Sequence, residues 1–279
     1  MKPAPFEYFR PRSVDEAVRL LDRHGEDARL ISGGQSLVPT MNLRMAMPGV
    51  LIDIGQMEEL RGWKRVGDSI HIGAATVQAA LLHDPALPGQ LPLLTAALPH
   101  IGHVQTRSRG TIGGSLCHAD PSAEIGLVAA TLEAVFVLRS SNGERRLGVS
   151  EFQLGALTTA VEPNEILVEI VMPCAPAGAR CAFRELARRH GDFALVAVAA
   201  QIAGDDLKVA IGGLEAAPRQ CRAAVAALAA ADFSASAIPD AVRHELREVD
   251  PLSDVHASGD YRLELAAVLL TQCLAEILR

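Results

Sequence analysis

Glycine pairs flanked by hydroxyl residues are the part of this chain best suited to chemistry. Ser32-Gly33-Gly34-Gln35-Ser36 follows the apolar run Leu30-Ile31, and Thr111-Ile112-Gly113-Gly114-Ser115 repeats the theme eighty positions later. Glycine has no Cβ and enters positive φ freely, so backbone N–H groups there can close on a phosphate. Two such segments would hold a pyrophosphate from both sides, as a dinucleotide site requires. Taken singly, each pair reads equally well as a tight turn.

Other chemistries lack their residues. No G-x-G occurs, which removes the Rossmann fingerprint, and neither a Walker A loop nor a G-x-S-x-G nucleophile elbow is present. The five cysteines (Cys117, Cys174, Cys181, Cys221, Cys273) form no C-x-x-C, so neither an iron–sulfur cluster nor a structural zinc is supported on this chain. Cys117-His118 beside the second glycine pair is an isolated neighbour pair. A net charge of −7 speaks against nucleic acid as a partner. Small basic groups at Arg107 and Arg109, and at Arg184, Arg188 and Arg189, suit either a small anion or a solvated face.

The elements that must position the glycines alternate without repeat. Ser13-x-x-Glu16 reads as a capping box opening a helix from Val14 to Arg23, with Gly25 to end it. A strand through Ile31 delivers the first glycine pair, and a helix from Leu37 to Met45 should follow, its N-terminal N–H groups near Ser36. Val50 to Ile54 and Ile70 to Ile72 read as strands, Thr76 as the cap of a short helix to His83, and Pro121 to Leu132 as a helix. Ala134 to Leu138 and the segment beyond Arg145 suggest a hairpin around Asn142-Gly143.

A second unit follows. The strand Ile166 to Val171 gives way to Met172-Pro173-Cys174-Ala175-Pro176-Ala177-Gly178, whose prolines and glycine mark a linker. Beyond it come strands near Ala182 to Leu186, Phe193 to Ile202 and Leu207 to Ile211, then helices. The last carries Leu265, Leu269, Cys273 and Ile277 on a core-facing stripe. The domains implied are 1–174, in lobes of about 1–55 and 56–174, and 178–279. With 49% hydrophobic residues, 279 residues can build two cores. Met1 to Pro5 shows no apolar leader and no apolar run reaches the ~20 residues of a membrane span, so the expected place is the cytoplasm.

Over nearly its full length the chain resembles the FAD-binding medium subunit of molybdenum hydroxylases, the xanthine dehydrogenase and aerobic carbon monoxide dehydrogenase family. The resemblance rests on Phe9-Arg10-Pro11, on Ser32 to Pro39, on Arg107 to Leu116 and on His118-Ala119-Asp120-Pro121. Arg188 to Ala194 and Asp254 to Arg262 extend it into the second unit. It implies an α+β fold like that of vanillyl-alcohol oxidase, with a two-lobed FAD domain followed by a C-terminal domain of antiparallel sheet and helices.

The resemblance also implies a set of FAD contacts. Arg29, Leu30, Ile31, Ser32, Gly33, Gly34, Gln35, Ser36 and Leu37 would wrap the pyrophosphate, with Thr111, Ile112, Gly113, Gly114 and Ser115 approaching from the second lobe. Ile101 would lie against the cofactor, and Glu124 would accept from its hydroxyls; a helix N-terminal acid is the plainer reading of Glu124. Ile166 or Leu167 (by backbone), Arg184 and Phe193 would border the flavin ring. Phe193 stands where the carbon monoxide enzymes carry tyrosine.

Two functions follow. In the first, the chain is a redox subunit taking electrons through a small 2Fe-2S subunit from a large molybdopterin subunit and passing them to an external acceptor. Its substrate would be aromatic or N-heterocyclic, with carbon monoxide the alternative. In the second, it is a non-redox dinucleotide-binding or assembly module.

Overall fold

The computed structural model describes residues 2–279. The first lobe is a parallel three-stranded sheet under one helix. Its elements are β1 (Glu7–Phe9), α1 (Val14–His24), β2 (Ala28–Ile31), α2 (Leu37–Asn42) and β3 (Val50–Asp53), with strand order β1-β3-β2. The Ser13 hydroxyl caps α1 by accepting from the Glu16 N–H at 3.2 Å. The return half of the box lands one residue early, on the Arg12 N–H at 2.8 Å. Val14, Ala17, Val18 and Leu21 share one helix face and are buried against the sheet. The helix after the first glycine pair is shorter than expected, because Leu43 ends α2 and Arg44 turns to positive φ.

The second lobe is an antiparallel sheet with helices packed on it. It runs β4 (Trp63–Val66), β5 (Ser69–Gly73), α3 (Gln78–Leu82), α4 (Pro92–Ala97), α5 (Val104–Arg107), α6 (Ile112–His118) and α7 (Glu124–Thr131). Then come β6 (Val135–Ser140), β7 (Gly143–Gly148), α8 (Val149–Phe152), the short ladder β8 (Gln153–Gly155) with β9 (Thr158–Thr159), and β10 (Ile166–Pro173). The main sheet has order β4-β5-β10-β6-β7. Thr76 does not cap α3; its hydroxyl donates to the carbonyls of Gly62 and Gly73, tying the turn beneath. β10 continues through Pro173, so the linker is confined to residues 174–179.

The C-terminal unit is an antiparallel meander, β11 (Arg180–Leu186), β12 (Val196–Ala203), β13 (Asp206–Gly212) and β14 (Arg219–Gln220), followed by α9 (Arg222–Ala230), α10 (Ile238–Leu246) and α11 (Gly259–Ile277). Period-two alternation sorts β12 into two faces. Val196, Val198, Ala200 and Ile202 meet the helices, chiefly the Ala266, Leu270, Cys273 and Leu274 face of α11. Ala197 and Ala199, with Ala210 of β13, face the second lobe instead. The small side chains let α7 lie close, and every residue of α7 is buried, packed on β12 and β13 and against α4 and α6. Second lobe and C-terminal unit therefore share one apolar core. The architecture is α+β. Among the described residues no helix is long and apolar enough to cross a membrane.

Candidate functional site

The two glycine segments meet, and they do different jobs. β2 ends at Ile31 and releases the chain into a loop whose N–H groups, at Ser32, Gly33, Gly34, Gln35 and Ser36, donate to no acceptor within the described residues. The second segment uses its donors internally. The Ile112 and Gly113 N–H groups donate to the carbonyls of Thr76 (3.0 Å) and Ala74 (2.9 Å). The Gly114 N–H donates to the Thr111 hydroxyl that caps α6, at 3.2 Å. That hydroxyl in turn donates to the Ser32 hydroxyl at 3.1 Å.

Glycine is needed here for closeness. A Cβ on Gly33 would overlap the Arg109 carbonyl and stand 2.9 Å from Gly110 Cα, and one on Gly113 would sit 2.6 Å from the Ala74 side chain. Only Gly34, at φ +69°, also requires the left-handed region. A cavity of about 460 Å³ opens on the first loop, lined by Tyr8, Ile31, Ser32, Gly33, Gly34, Gln35, Val38, Pro39, Asp53 and Arg109. Free backbone donors at Ser32, Gly33, Gly34 and Gln35 along such a cavity fit an anionic pyrophosphate without calling on lysines.

Other expected residues fall outside that cavity. The Arg29 guanidinium turns back to the carbonyls of Glu26 (2.9 Å) and Ala28 (2.8 Å), at the opposite end of β2 from the loop. Ser36 leads into α2 without a side-chain cap bond, and Leu30 and Leu37 are absent from the lining. Ile166 and Leu167 are buried in β10 on opposite faces, one in the core of each lobe, next to a register shift against β6.

A second group gathers where the second lobe meets β11. Ile101 is buried, and the Arg107 guanidinium holds the turn around it by donating to the carbonyls of Pro99 (3.2 Å), Ile101 (2.7 Å) and Gly102 (3.0 Å). Glu124 opens α7 and is 4% exposed; burial pushes its carboxyl up to about 7, with like charges on Glu185 and Asp120 adding to the rise. His100 accepts the Phe183 ring against its own at 5.0 Å and pairs through Nδ1 with Glu185 at 3.1 Å. The Glu185 hydrogen bond raises the His100 pKa above its ordinary value. The other Glu185 carboxylate oxygen, Oε2, is buried without a partner.

Arg184, expected to bring a cation to the flavin, lies on the other face of β11 and pairs with Glu276 of α11 at 2.7 Å. Strand alternation leaves Glu185, an acid, as the residue facing the second lobe. Phe193 lies outside any strand, because β12 begins at Val196, and its side chain is 59% exposed. The loop that carries it is nevertheless fixed. Arg262, buried in α11, donates to the carbonyls of Leu195 (2.5 Å) and Gly213 (3.0 Å) and to Asp254 Oδ2 (2.8 Å). At the loop's tip His190 stacks over His103, and Gly191 sits so close to that ring that a Cβ would collide with it. Arg262, in the segment 254–262, thus anchors the end of the loop that carries residues 188–194.

Sequence reasoning passed over Tyr8 and Asp53 as lining residues. The Tyr8 hydroxyl donates to Asp53 Oδ2, 45 positions away. The available signal was Asp53 as the last residue of a strand parallel to the one that delivers the glycine loop.

Comparisons with known proteins agree along the whole chain. A family model described as the FAD binding domain in molybdopterin dehydrogenase matches residues 4–175, and one described as the CO dehydrogenase flavoprotein C-terminal domain matches residues 181–277. The 6-hydroxypseudooxynicotine dehydrogenase complex subunit alpha of Paenarthrobacter nicotinovorans is 36% identical over 284 residues, spanning 100% of this chain and 96% of that protein. Among solved structures, carbon monoxide dehydrogenase from Hydrogenophaga pseudoflava superposes with a TM-score of 0.95 at 37% identity, covering 99% of this chain and 98% of that one. Quinoline 2-oxidoreductase from Pseudomonas putida 86 gives 0.93 at 34% identity, covering 100% and 98%.

Proposed function

Because the chain belongs to the family of FAD-binding subunits of molybdopterin dehydrogenases, it is the flavoprotein subunit of an oxidoreductase complex, and we propose how its residues serve that role. The chain accepts electrons from a small 2Fe-2S subunit, which receives them from a large molybdopterin subunit, and passes them to an external acceptor. When bound, FAD supplies the redox chemistry. The chain's own part is to hold the pyrophosphate on the free N–H groups of Ser32 to Ser36, with α6 packed behind them. Ile101 and the Phe193 loop cover the flavin end, and Glu124 accepts from cofactor hydroxyls. The observation that carries this reading is the loop of unpartnered donors over a cavity of about 460 Å³.

The substrate class is aromatic or N-heterocyclic, supported by likeness to proteins that act on quinoline and on 6-hydroxypseudooxynicotine. Carbon monoxide is the second reading, favoured by the superposition on carbon monoxide dehydrogenase. The complex works in the cytoplasm. Purified chain should carry one FAD, released on denaturation, and should co-elute with co-expressed iron–sulfur and molybdopterin subunits in size-exclusion chromatography. A colourless chain that refuses added FAD would sink the proposal. A substrate panel on the assembled complex separates the two substrate readings.

A further inference from the structure

We propose that His100, Glu185 and Glu124 form a redox-linked proton site, which takes up a proton from water as electrons enter the bound flavin and returns it as they leave. This rests on the FAD reading and adds to it a place on the chain where protons are bound. The electrons come from the iron–sulfur partner and go to the acceptor. On this chain only an O–H or N–H bond is made and broken.

Three elements bring these side chains to the junction of the second lobe with the C-terminal sheet. His100 closes the turn before the buried Ile101, Glu185 lies on β11, and Glu124 opens α7. Exposure falls along the series: the His100 side chain is 40% exposed and that of Glu185 10%, while Glu124 as a whole residue is 4% exposed. His100 Nδ1 pairs with Glu185 Oε1 at 3.1 Å, but Oε2 of the same carboxylate is buried with no donor on it. A buried carboxylate oxygen without a donor costs free energy that a proton on either acid recovers.

The surroundings do little to neutralise these acids. Asp120, just before α7, adds a third negative group, and His118 at the end of α6 is the nearest other imidazole in sequence. α4 and β12, which also pack on α7, carry no charged residue. β13 brings Asp206 and Lys208, and Lys208 is spent on Glu133 beyond the end of α7, at 2.6 Å. Arg219 of β14 pairs with Glu215 and Glu245, and Arg107 in the adjoining turn is held on three carbonyls. Protons therefore bind to the group as a whole. Burial, with the Glu185 charge behind it, holds the Glu124 carboxyl up to about 7, so the site is poised to fill or empty at neutral pH. Electrons on a flavin beside Ile101 add negative charge in a low-dielectric surrounding, which favours the protonated form of the acids near it. By linkage, the protonated cluster holds electrons on the flavin more tightly.

The test is redox titration of the FAD-loaded full-length chain from about pH 6 to about pH 8, with the protons taken up on reduction counted in weak buffer. The wild-type flavin potential should fall more steeply with pH than that of Glu124→Gln. Reduction of wild type should also take up more protons, by up to about one per flavin. Glu185→Gln and His100→Gln, whose side chains hold no part of the cofactor, should flatten the pH dependence too. They decide the matter where Glu124→Gln sheds its flavin. Equal pH slopes in wild type and variants would overturn the proposal. So would potentials displaced equally at every pH, which is what a change of shape alone produces. A wild-type chain that takes up no FAD overturns the flavoprotein reading itself.

Discussion

Gly33 presses on the Arg109 carbonyl so closely that no Cβ fits between them. The contact joins the two lobes at the place where free backbone donors face the cavity. Positive φ is required at the next residue, Gly34, and the two glycines should fail differently.

Gly33→Ala should separate the loops and lower FAD affinity by at least about ten-fold, since the clash is with backbone that has no rotamer to change. Gly34→Ala meets only side chains, the nearest atom at 3.1 Å, and should cost about 1–2 kcal/mol for the left-handed conformation. Flavin dissociation constants and melting temperatures on both variants check this; equal, small effects would refute it.

Phe193→Ala should leave the apoprotein's melting temperature unchanged, because a side chain 59% exposed contributes little to the core. FAD affinity should nevertheless fall by roughly 1–2 kcal/mol if the ring covers the flavin, and Phe193→Tyr should change little. A destabilised apoprotein with intact FAD affinity would assign the residue to packing instead.

Arg262 sits 4% exposed under that loop and satisfies three acceptors. Arg262→Ala should cost about 3 kcal/mol, since it strands two buried carbonyls and leaves Asp254 without its cation. Arg262→Lys should rescue poorly, because an ammonium cannot span a forked set of acceptors. Thermal unfolding, with limited proteolysis between residues 187 and 195, reads both effects.

These cases show what the sequence displays and what it hides. Glycine spacing suggests a pyrophosphate site, yet only packing decides which pair presents N–H groups, because Thr111, Ala74 and Thr76 satisfy the second segment. An apolar run from Phe193 to Ile202 suggests one strand, but β12 begins at Val196, and the Leu195 carbonyl accepts from Arg262 at the end of the loop. Arg184 and Glu185 differ only in strand phase, and their faces become readable once α11 is known to cover one side. Tyr8 and Asp53 meet because β3 inserts between β1 and β2, an order no local pattern encodes. The strongly periodic elements, α1 and α11, were legible throughout.

The junction between lobe and C-terminal sheet should be sensitive to alkali. Glu124 titrates near pH 7 in the folded chain, against about 4.5 when unfolded. A raised folded value means that its contribution is fully present below pH 4.5 and is lost as pH rises through 7. At 1.36 kcal/mol per unit, that loss is about 3 kcal/mol. His100 acts with the same sign: its pKa, raised by the Glu185 hydrogen bond, gives a contribution present below the ordinary imidazole value and lost as pH climbs past the folded one. Glu124→Gln keeps the shape and removes the charge. The apoprotein variant should match wild type at pH 5 and melt roughly 5 °C higher at pH 8. His100→Gln should flatten the remaining slope between pH 6.5 and 8. Parallel melting profiles for wild type and Glu124→Gln across that range would show that Glu124 reaches solvent, and that the buried junction does not govern the pH response.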